Sequence, residues 1–300
     1  GVVAAAWMQR ADSWGPYQIV TRLRGADGTW GEEMLVRESV KLASFPEVAI
    51  NGSGDLLVSW QEIVGEVMTV KGRLYSANPG TWSDVETYSE GGNHAGLAQV
   101  DLEDSGKGIV IWREADAPAS DFTLATSGHV SARTRSASGE LGPIVELSTA
   151  GQDAFHTAIE TRKQNVMMHG DGSAAVTWSA FDGDDYRVYV AQMATDGTWS
   201  SPMALSVAGQ NAKLPSVSAG PDGGLAVAWQ RSDGIHSRIQ ASKYESASGQ
   251  WSLPVTLSEA GQSAFWPTLS WDGAGSYTAV WARSNGSQYR LETKQVMPSP

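Results

Sequence analysis

A short apolar run that ends in tryptophan recurs along the chain, and this repeat constrains the fold more than any other feature of the sequence. The tryptophans concerned are Trp7, Trp60, Trp112, Trp178, Trp229 and Trp281. Their successive spacings are 53, 52, 66, 51 and 52 residues, so the sequence contains six copies of one unit. In proteins built this way each repeat buries an apolar face against its neighbour.

Each repeat has the pattern of four short strands, which we label A to D. In the fifth repeat strand A starts at Pro215, strand B ends at Trp229, strand C starts at Arg238 and strand D starts at Trp251. Short runs rich in Val, Thr, Tyr and Trp, separated by Gly, Asn and Asp, are typical of strands and turns. We therefore predict an all-β fold, a six-bladed β-propeller of four-stranded antiparallel blades. One domain spans residues 1–300, with repeats at approximately 1–40, 41–92, 93–151, 152–209, 210–261 and 262–300.

The turn between strands C and D carries a local motif. Its clearest copies are Asp27-Gly28-Thr29-Trp30 and Asp196-Gly197-Thr198-Trp199. This motif resembles the Asp-box, the bacterial neuraminidase repeat of sialidase-like propellers. The resemblance implies a structural role away from any active site: Asp27 and Asp196 bind turn amides, and Trp30 and Trp199 pack between strands.

The first and last blades are incomplete in the pattern, because the first repeat lacks strand A and the last lacks strand D. Those two strands are consecutive in the repeat. We expect an upstream segment of about 20–25 residues, or further blades or adjacent domains, to close the ring and remove its exposed edges. An open or partner-completed ring is the alternative.

Composition excludes several classes of protein. The chain has no cysteine, which removes disulfide scaffolds, thiolate metal sites and cysteine nucleophiles. Its 21 basic and 33 acidic residues give a net charge of −12, which argues against a nucleic-acid surface. No apolar run reaches the roughly 20 residues of a membrane span, so we expect no membrane insertion. We expect a secreted or cell-surface protein of bacterial type.

Two connections are longer than their counterparts. The fourth repeat takes seven more residues than most others from strand A at Thr157 to Trp178, which we assign to the A–B connection containing Met167 and Met168. The third repeat has a B–C loop eight residues longer, containing Glu114 and Asp116. We expect these insertions on opposite sides of their blades, because successive hairpin turns alternate sides. Met167 and Met168 are either an adaptable contact or a small hydrophobic plug, and we favour the plug.

The B–C loops and the D-to-A connections share one side of a propeller, the funnel face, where ligands usually bind. Candidate ligand-binding residues there are aromatic, basic or acidic. They are Trp14, Arg113, Phe155, His156, Phe181, Asp182, Asp185, Arg231, His236, Phe265, Trp266 and Arg283. The aromatic members either stack on the apolar faces of sugar rings or simply plug the funnel. The strand B tryptophans recur in every repeat and are predicted to pack between sheets.

Acidic residues supply candidates for catalysis. Glu114, Asp116 and His156 are the candidate catalytic groups, because glycosidases place two carboxyls on either side of the scissile bond. Solvated loop acids are the commoner interpretation. Asp182-Gly183-Asp184-Asp185 resembles a calcium loop but lacks the later bidentate Glu. The five histidines have no metal-type spacing, so we expect no zinc site and no cofactor.

Three functions remain open. The first is a lectin- or adhesin-like protein that binds a glycan or another small ligand at the funnel face. The second is a carbohydrate-active enzyme, a glycoside hydrolase or polysaccharide lyase, that uses an acid and a histidine at the same face. The third is a protein-interaction scaffold.

Overall fold

The structure is a computed structural model that describes residues 1–90, 92–115, 127–148, 152–154, 165–220, 222–273 and 276–296. Within these ranges the chain forms strands and turns without a helix, and the strands pair into six antiparallel sheets. The all-β prediction is therefore confirmed, and the arrangement is consistent with a propeller. The chain divides into two compact units, an N-terminal unit (Gly1–Leu147) and a C-terminal unit (Ser148–Pro300).

The N-terminal unit holds the first three sheets. Sheet 1 comprises β1 (Val3–Arg10), β2 (Tyr17–Arg24) and β3 (Met34–Ser39). Sheet 2 comprises β4 (Ala43–Ile50), β5 (Leu56–Val64), β6 (Val67–Ser76), β7 (Thr81–Trp82) and β8 (Glu86–Thr87), the last two both pairing with β6. Sheet 3 comprises β9 (Ala95–Leu102), β10 (Gly108–Ala115), β11 (Gly128–Arg135) and β12 (Val145–Glu146).

The C-terminal unit holds the other three sheets. Sheet 4 comprises β13 (Val166–Met168), β14 (Ala174–Phe181), β15 (Tyr186–Met193) and β16 (Met203–Ala204). Sheet 5 comprises β17 (Ala212–Ala219), β18 (Leu225–Ser232), β19 (Ser237–Glu245), β20 (Gln250–Trp251) and β21 (Val255–Thr256), the last two both pairing with β19. Sheet 6 comprises β22 (Ser263–Trp271), β23 (Tyr277–Ser284) and β24 (Tyr289–Val296).

Four of the six strand B tryptophans pack between sheets, as predicted. Trp60 lies in a core cluster with Ile19 and Val36 of sheet 1, and Trp112 lies in one with Leu57 and Val70 of sheet 2. Trp229 and Trp281 occupy the equivalent clusters of the C-terminal unit. All four are at most 3% exposed. Truncating a buried tryptophan costs about 3–5 kcal/mol, so these side chains belong to the scaffold and are not available to a ligand.

The insertion in the fourth repeat was assigned to the wrong side of strand A. Val166–Met168 forms that strand, and Met168 pairs with Ala174. The hairpin turn between β13 and β14 therefore has the same length as its counterparts, and the extra residues precede the strand. These extra residues lie outside the described residues. Val166 and Met168 are buried, and Met167 packs against the core, which explains the strand.

The two clearest C–D turns behave partly as expected. Asp27 Oδ1 accepts a hydrogen bond from the Thr29 amide at 3.0 Å, and Asp196 Oδ1 accepts one from the Thr198 amide at 2.9 Å. Those amide contacts confirm the predicted structural role of the two aspartates. Trp30, by contrast, is 46% exposed. Its expected packing between strands is therefore wrong, whereas Trp199, which also forms a single bridge to its sheet, is half-buried.

Candidate functional site

Three aromatic side chains meet on sheet 6 of the C-terminal unit, and we call Phe265, Trp266 and Tyr289 the aromatic platform. The ring centroids lie 5.5 Å apart for Phe265 and Trp266, 5.7 Å for Trp266 and Tyr289, and 6.3 Å for Phe265 and Tyr289. Trp266 is 43% and Tyr289 63% exposed. Clustered exposed aromatic rings are typical of binding surfaces, whereas single exposed apolar residues are ordinary.

A β-bulge in β22 places Trp266 at the surface. The pairing of β22 with β23 shifts register between Phe265 and Thr268, and Trp266 has a φ of 55°. A left-handed residue in a bulge redirects its side chain away from the normal alternation. The same conformation recurs at three equivalent strand A positions, Phe45, Leu97 and Leu214, with φ values of 50°, 53° and 59°. The bulge therefore belongs to the scaffold, and the side chain that it presents is what differs between sheets.

Tyr289 was not among the candidates from the sequence. It directly precedes the residue at which strand C of the sixth repeat was predicted to start, and Tyr17 and Tyr186 hold the same position in the first and fourth repeats. Tyr186 also contacts an aromatic partner, because its ring centroid lies 5.4 Å from that of Phe181. This recurrent tyrosine was the signal that could have identified the third member of the platform.

Glu114 is a buried carboxyl on β10 of sheet 3, in the N-terminal unit. Its Oε2 accepts a hydrogen bond from Trp112 Nε1 at 3.1 Å and lies 4.0 Å from Nε2 of His129. Burial raises the pKa of Glu114 above its usual value, although Trp112 and His129 both act to lower it. A buried carboxyl with a raised pKa beside a histidine is a chemically reasonable acid and base pair. Sequence reasoning placed Glu114 in a loop, whereas it lies within a strand.

Glu62 holds the same repeat position in sheet 2 as Glu114 does in sheet 3, two residues after the strand B tryptophan. It accepts hydrogen bonds from Trp60 Nε1 at 3.0 Å, from Ser39 Oγ at 3.0 Å and from two nitrogens of Arg37 at 2.9 and 2.7 Å. Burial alone would raise the pKa of Glu62, but the bonds from Arg37, Trp60 and Ser39 outweigh it and lower that pKa. Glu62 is therefore held ionised.

The Asp182 turn of sheet 4 is closed by its own backbone. Asp182 Oδ1 accepts hydrogen bonds from the amides of Asp184 at 3.1 Å and Asp185 at 3.0 Å. Oδ2 lies 3.4 Å from Nη1 of Arg187. The Asp185 and Asp184 amides, with a smaller contribution from Arg187, lower the pKa of Asp182. Its carboxylate thus serves the turn and the arginine.

The next sheet repeats this arrangement. Asp233 Oδ1 accepts hydrogen bonds from the amides of His236 at 2.7 Å and Ile235 at 3.1 Å, and Arg238 lies 3.4 Å from its other oxygen. Arg187 and Arg238 thus each pair with an aspartate of the preceding B–C turn. The His236 ring lies beside Ser263, with Nδ1 3.4 Å from Oγ.

The three candidate arginine anchors are less accessible than expected. Arg113 is 6% exposed on β10, and Arg283 is 4% exposed on β23, 3.3 Å from Glu292. Arg231 is half-buried, and its Nη2 lies 3.4 Å from the carbonyl oxygen of Ala208. The guanidinium groups of Arg113 and Arg283 are therefore buried, and their role in ligand binding stays a prediction. Trp14, by contrast, is 93% exposed on the loop between β1 and β2.

Three candidates from the sequence, Asp116, Phe155 and His156, lie outside the described residues. Among the residues that the structure does describe, no group of three His, Asp or Glu side chains is arranged to hold a metal ion. In the same residues no helix is long and apolar enough to cross a bilayer.

No protein-family profile and no curated protein matches this sequence. Solved structures match it in fold. A PL25 polysaccharide lyase, ulvan lyase, bound to -[GlcA(1-4)Rha3S]-, has a TM-score of 0.63 and 8% identity, with 98% of this chain and 76% of that chain covered. A protein of unknown function from Dyadobacter fermentans has a TM-score of 0.53 and 10% identity, covering 85% and 78%. Hydrazine synthase from Kuenenia stuttgartiensis has a TM-score of 0.55 and 12% identity, covering 89% and 73%. At such identities the likeness concerns the fold alone.

Proposed function

We propose that this protein binds carbohydrate through the aromatic platform. The observation that carries the proposal is the contact between Trp266 and Tyr289, two exposed rings with centroids 5.7 Å apart. The axial C–H groups of a pyranose complement an aromatic face, and the phenol and indole N–H can bond sugar hydroxyls. The bulge fixes the indole before any ligand arrives, which lowers the entropic cost of binding.

The fold neighbours are compatible with this proposal. The ulvan lyase was solved with a bound oligosaccharide, so a fold of this kind accommodates a polysaccharide. That support is an analogy between folds, and the platform itself is the argument for binding in this chain.

The test is glycan binding by wild type and by the variants Trp266→Ala and Tyr289→Ala. An aromatic contact is worth about 0.5–1.5 kcal/mol beyond its buried area, so each variant should weaken binding about tenfold. Trp30→Ala is the matched control, since it removes a tryptophan outside the platform that is 46% exposed, close to the 43% of Trp266. Unchanged binding in both platform variants would refute the proposal, and so would a loss confined to Trp30→Ala.

A second candidate function is that of a carbohydrate-active enzyme, and Glu114 favours it. A buried carboxyl with a raised pKa, 4.0 Å from a histidine, suits general acid catalysis on a glycosidic bond. Released reducing ends or unsaturated products would establish turnover. Glu114→Gln should then abolish turnover while leaving binding at the aromatic platform intact. Turnover that survives this substitution would exclude Glu114 as the acid.

We also propose that the natural protein is a secreted, six-bladed propeller in which a fourth strand completes sheet 6. Leu291 on β24 supports this, because it is 77% exposed whereas the equivalent residues Val70, Val188 and Ile239 are fully buried. In their sheets strand D pairs beside them, and core residues of the following sheet pack against them. Mass spectrometry and fractionation of the native protein test the proposal. A closed monomer whose chain starts at Gly1, or a cytoplasmic location, would contradict it.

A further inference from the structure

A cleft of about 640 Å³ opens on the N-terminal unit, between β3 and the hairpin of β5 and β6. Its apolar walls include Val64 and Val85, which are 47% and 37% exposed, and Val40 at its rim is 91% exposed. Its charged lining holds three cations, Arg37, Lys41 and Lys71, and two carboxylates, Glu38 and Glu62. In a chain of net charge −12, a concave surface with excess positive charge is unusual and attracts anions.

Arg37 is a departure from the repeat. Ser89, Ser206 and Ser258 hold its position in the second, fourth and fifth repeats, and each serine Oγ accepts a hydrogen bond from an amide of strand C. Arg37 instead uses Nε and Nη2 to bind Glu62. Among the described residues its Nη1 has no hydrogen-bond partner, and the side chain is 37% exposed. One edge of a rigidly held guanidinium is therefore available to the cleft.

Lys71 supplies a second cation. It is half-buried on β6, and its Nζ donates a hydrogen bond to Thr87 Oγ1 at 2.6 Å. An ammonium group has three N–H donors, so this contact leaves donors for a ligand. Lys41 donates to the carbonyl oxygen of Gly65 and thereby holds the hairpin that forms one wall.

We propose that this cleft binds a small organic acid, with its carboxylate between Arg37 and Lys71 and its ring or aliphatic body against the valines. Two cations with available N–H donors match a carboxylate, and hydrogen bonds between charged groups are the stronger ones. Partly exposed valines favour a ligand with an apolar face over a bare inorganic anion. This site is on the N-terminal unit and does not depend on the aromatic platform.

The test is calorimetric titration with sodium D-glucuronate, with D-glucose as its neutral counterpart at the same ionic strength. The titration is done on Trp266→Ala as well as on wild type. Loss of binding at the aromatic platform can then be distinguished from loss of binding in the cleft. We expect glucuronate to bind both proteins equally and glucose to bind neither at the cleft. Lys71→Gln should weaken glucuronate binding about tenfold or more, as expected for a charged hydrogen bond. Lys107→Gln, which removes an exposed lysine of the same unit, should leave binding unchanged.

A second variant guards against misfolding of Lys71→Gln. Val64 is 47% exposed at the cleft, so Val64→Glu should fold, and its carboxylate should repel the ligand. Val207→Glu, at a 55% exposed site of the other unit, should fold and leave ligand binding unchanged. Equal effects of Lys71→Gln and Lys107→Gln, or glucuronate binding that survives Val64→Glu, would overturn the proposal. So would inorganic sulfate that binds as tightly as glucuronate, because the walls would then contribute nothing.

Discussion

Glu62 and Glu114 each accept a hydrogen bond from the indole of the tryptophan two residues before them, at 3.0 and 3.1 Å. The two carboxyls hold the same repeat position, yet their pKa values shift in opposite directions. Arg37 accounts for the difference, since it forms two hydrogen bonds with Glu62, whereas Glu114 has His129 beside it at 4.0 Å. A repeated scaffold thus holds one carboxyl with a lowered pKa and one with a raised pKa.

Glu62→Gln should destabilise the protein at neutral pH, because Arg37 loses its ionised partner. We expect a cost of about 1–2 kcal/mol, at the low end for charged hydrogen bonds because Arg37 is partly solvated. The pKa of Glu62 is lowered in the folded state, so its contribution is present above the unfolded value of about 4.3 and is lost as the pH falls through the folded value. Urea unfolding of wild type and variant, from about pH 2 to 7, should show the gap closing in acid. A gap that is independent of pH would contradict this.

Glu114→Gln should have the opposite pH dependence. The pKa of Glu114 is raised in the folded state, so its contribution is present below about pH 4.3 and is lost as the pH rises through the folded value. The glutamine amide oxygen can still accept the Trp112 indole hydrogen bond. We therefore expect the variant to be at least as stable as wild type at neutral pH. Its free energy of unfolding should not show the decrease with rising pH that the Glu114 carboxyl causes in wild type. Destabilisation by more than about 1 kcal/mol at neutral pH would show that the ionised carboxylate is stabilising.

The sequence predicted the scaffold better than the sites. The recurrence of a strand B tryptophan at about 52-residue intervals predicted the six sheets, because Trp60, Trp112, Trp229 and Trp281 are buried where neighbouring sheets of one unit pack. The spacing did not reveal where an insertion falls, so β13 was assigned to a connection. The spacing also did not identify Tyr289 as a candidate. Tyr289 lies near Phe265 and Trp266 because β23 pairs with β22 on one side and with β24 on the other. Arg37 could have been recognised as the residue that replaces a recurrent serine.

The bulge residues should tolerate glycine better than alanine. Phe45 has a φ of 50° and is 39% exposed, so both substitutions remove the same ring and differ mainly in the backbone. A Cβ in the left-handed region costs about 1–2 kcal/mol, and we expect Phe45→Gly to be more stable than Phe45→Ala by about 1 kcal/mol. Val48 lies in the same strand and has an ordinary φ. At this position Val48→Gly should be less stable than Val48→Ala by about 0.5–1 kcal/mol. Thermal unfolding measures both differences, and the same sign at the two positions would contradict the argument.

Leu291 tests the proposed fourth strand of sheet 6. In the 300-residue protein, Leu291→Thr should change the free energy of unfolding by no more than about 0.5 kcal/mol, because the side chain is 77% exposed. Ile239→Thr, at the equivalent and fully buried position of sheet 5, should cost about 1.5–3 kcal/mol. In the native protein a completed sheet 6 that packs against another sheet would bury Leu291, so both substitutions should then be costly. Urea unfolding of the two variants in each form provides the comparison, and a negligible effect of Leu291→Thr in the native protein would contradict the completed sheet.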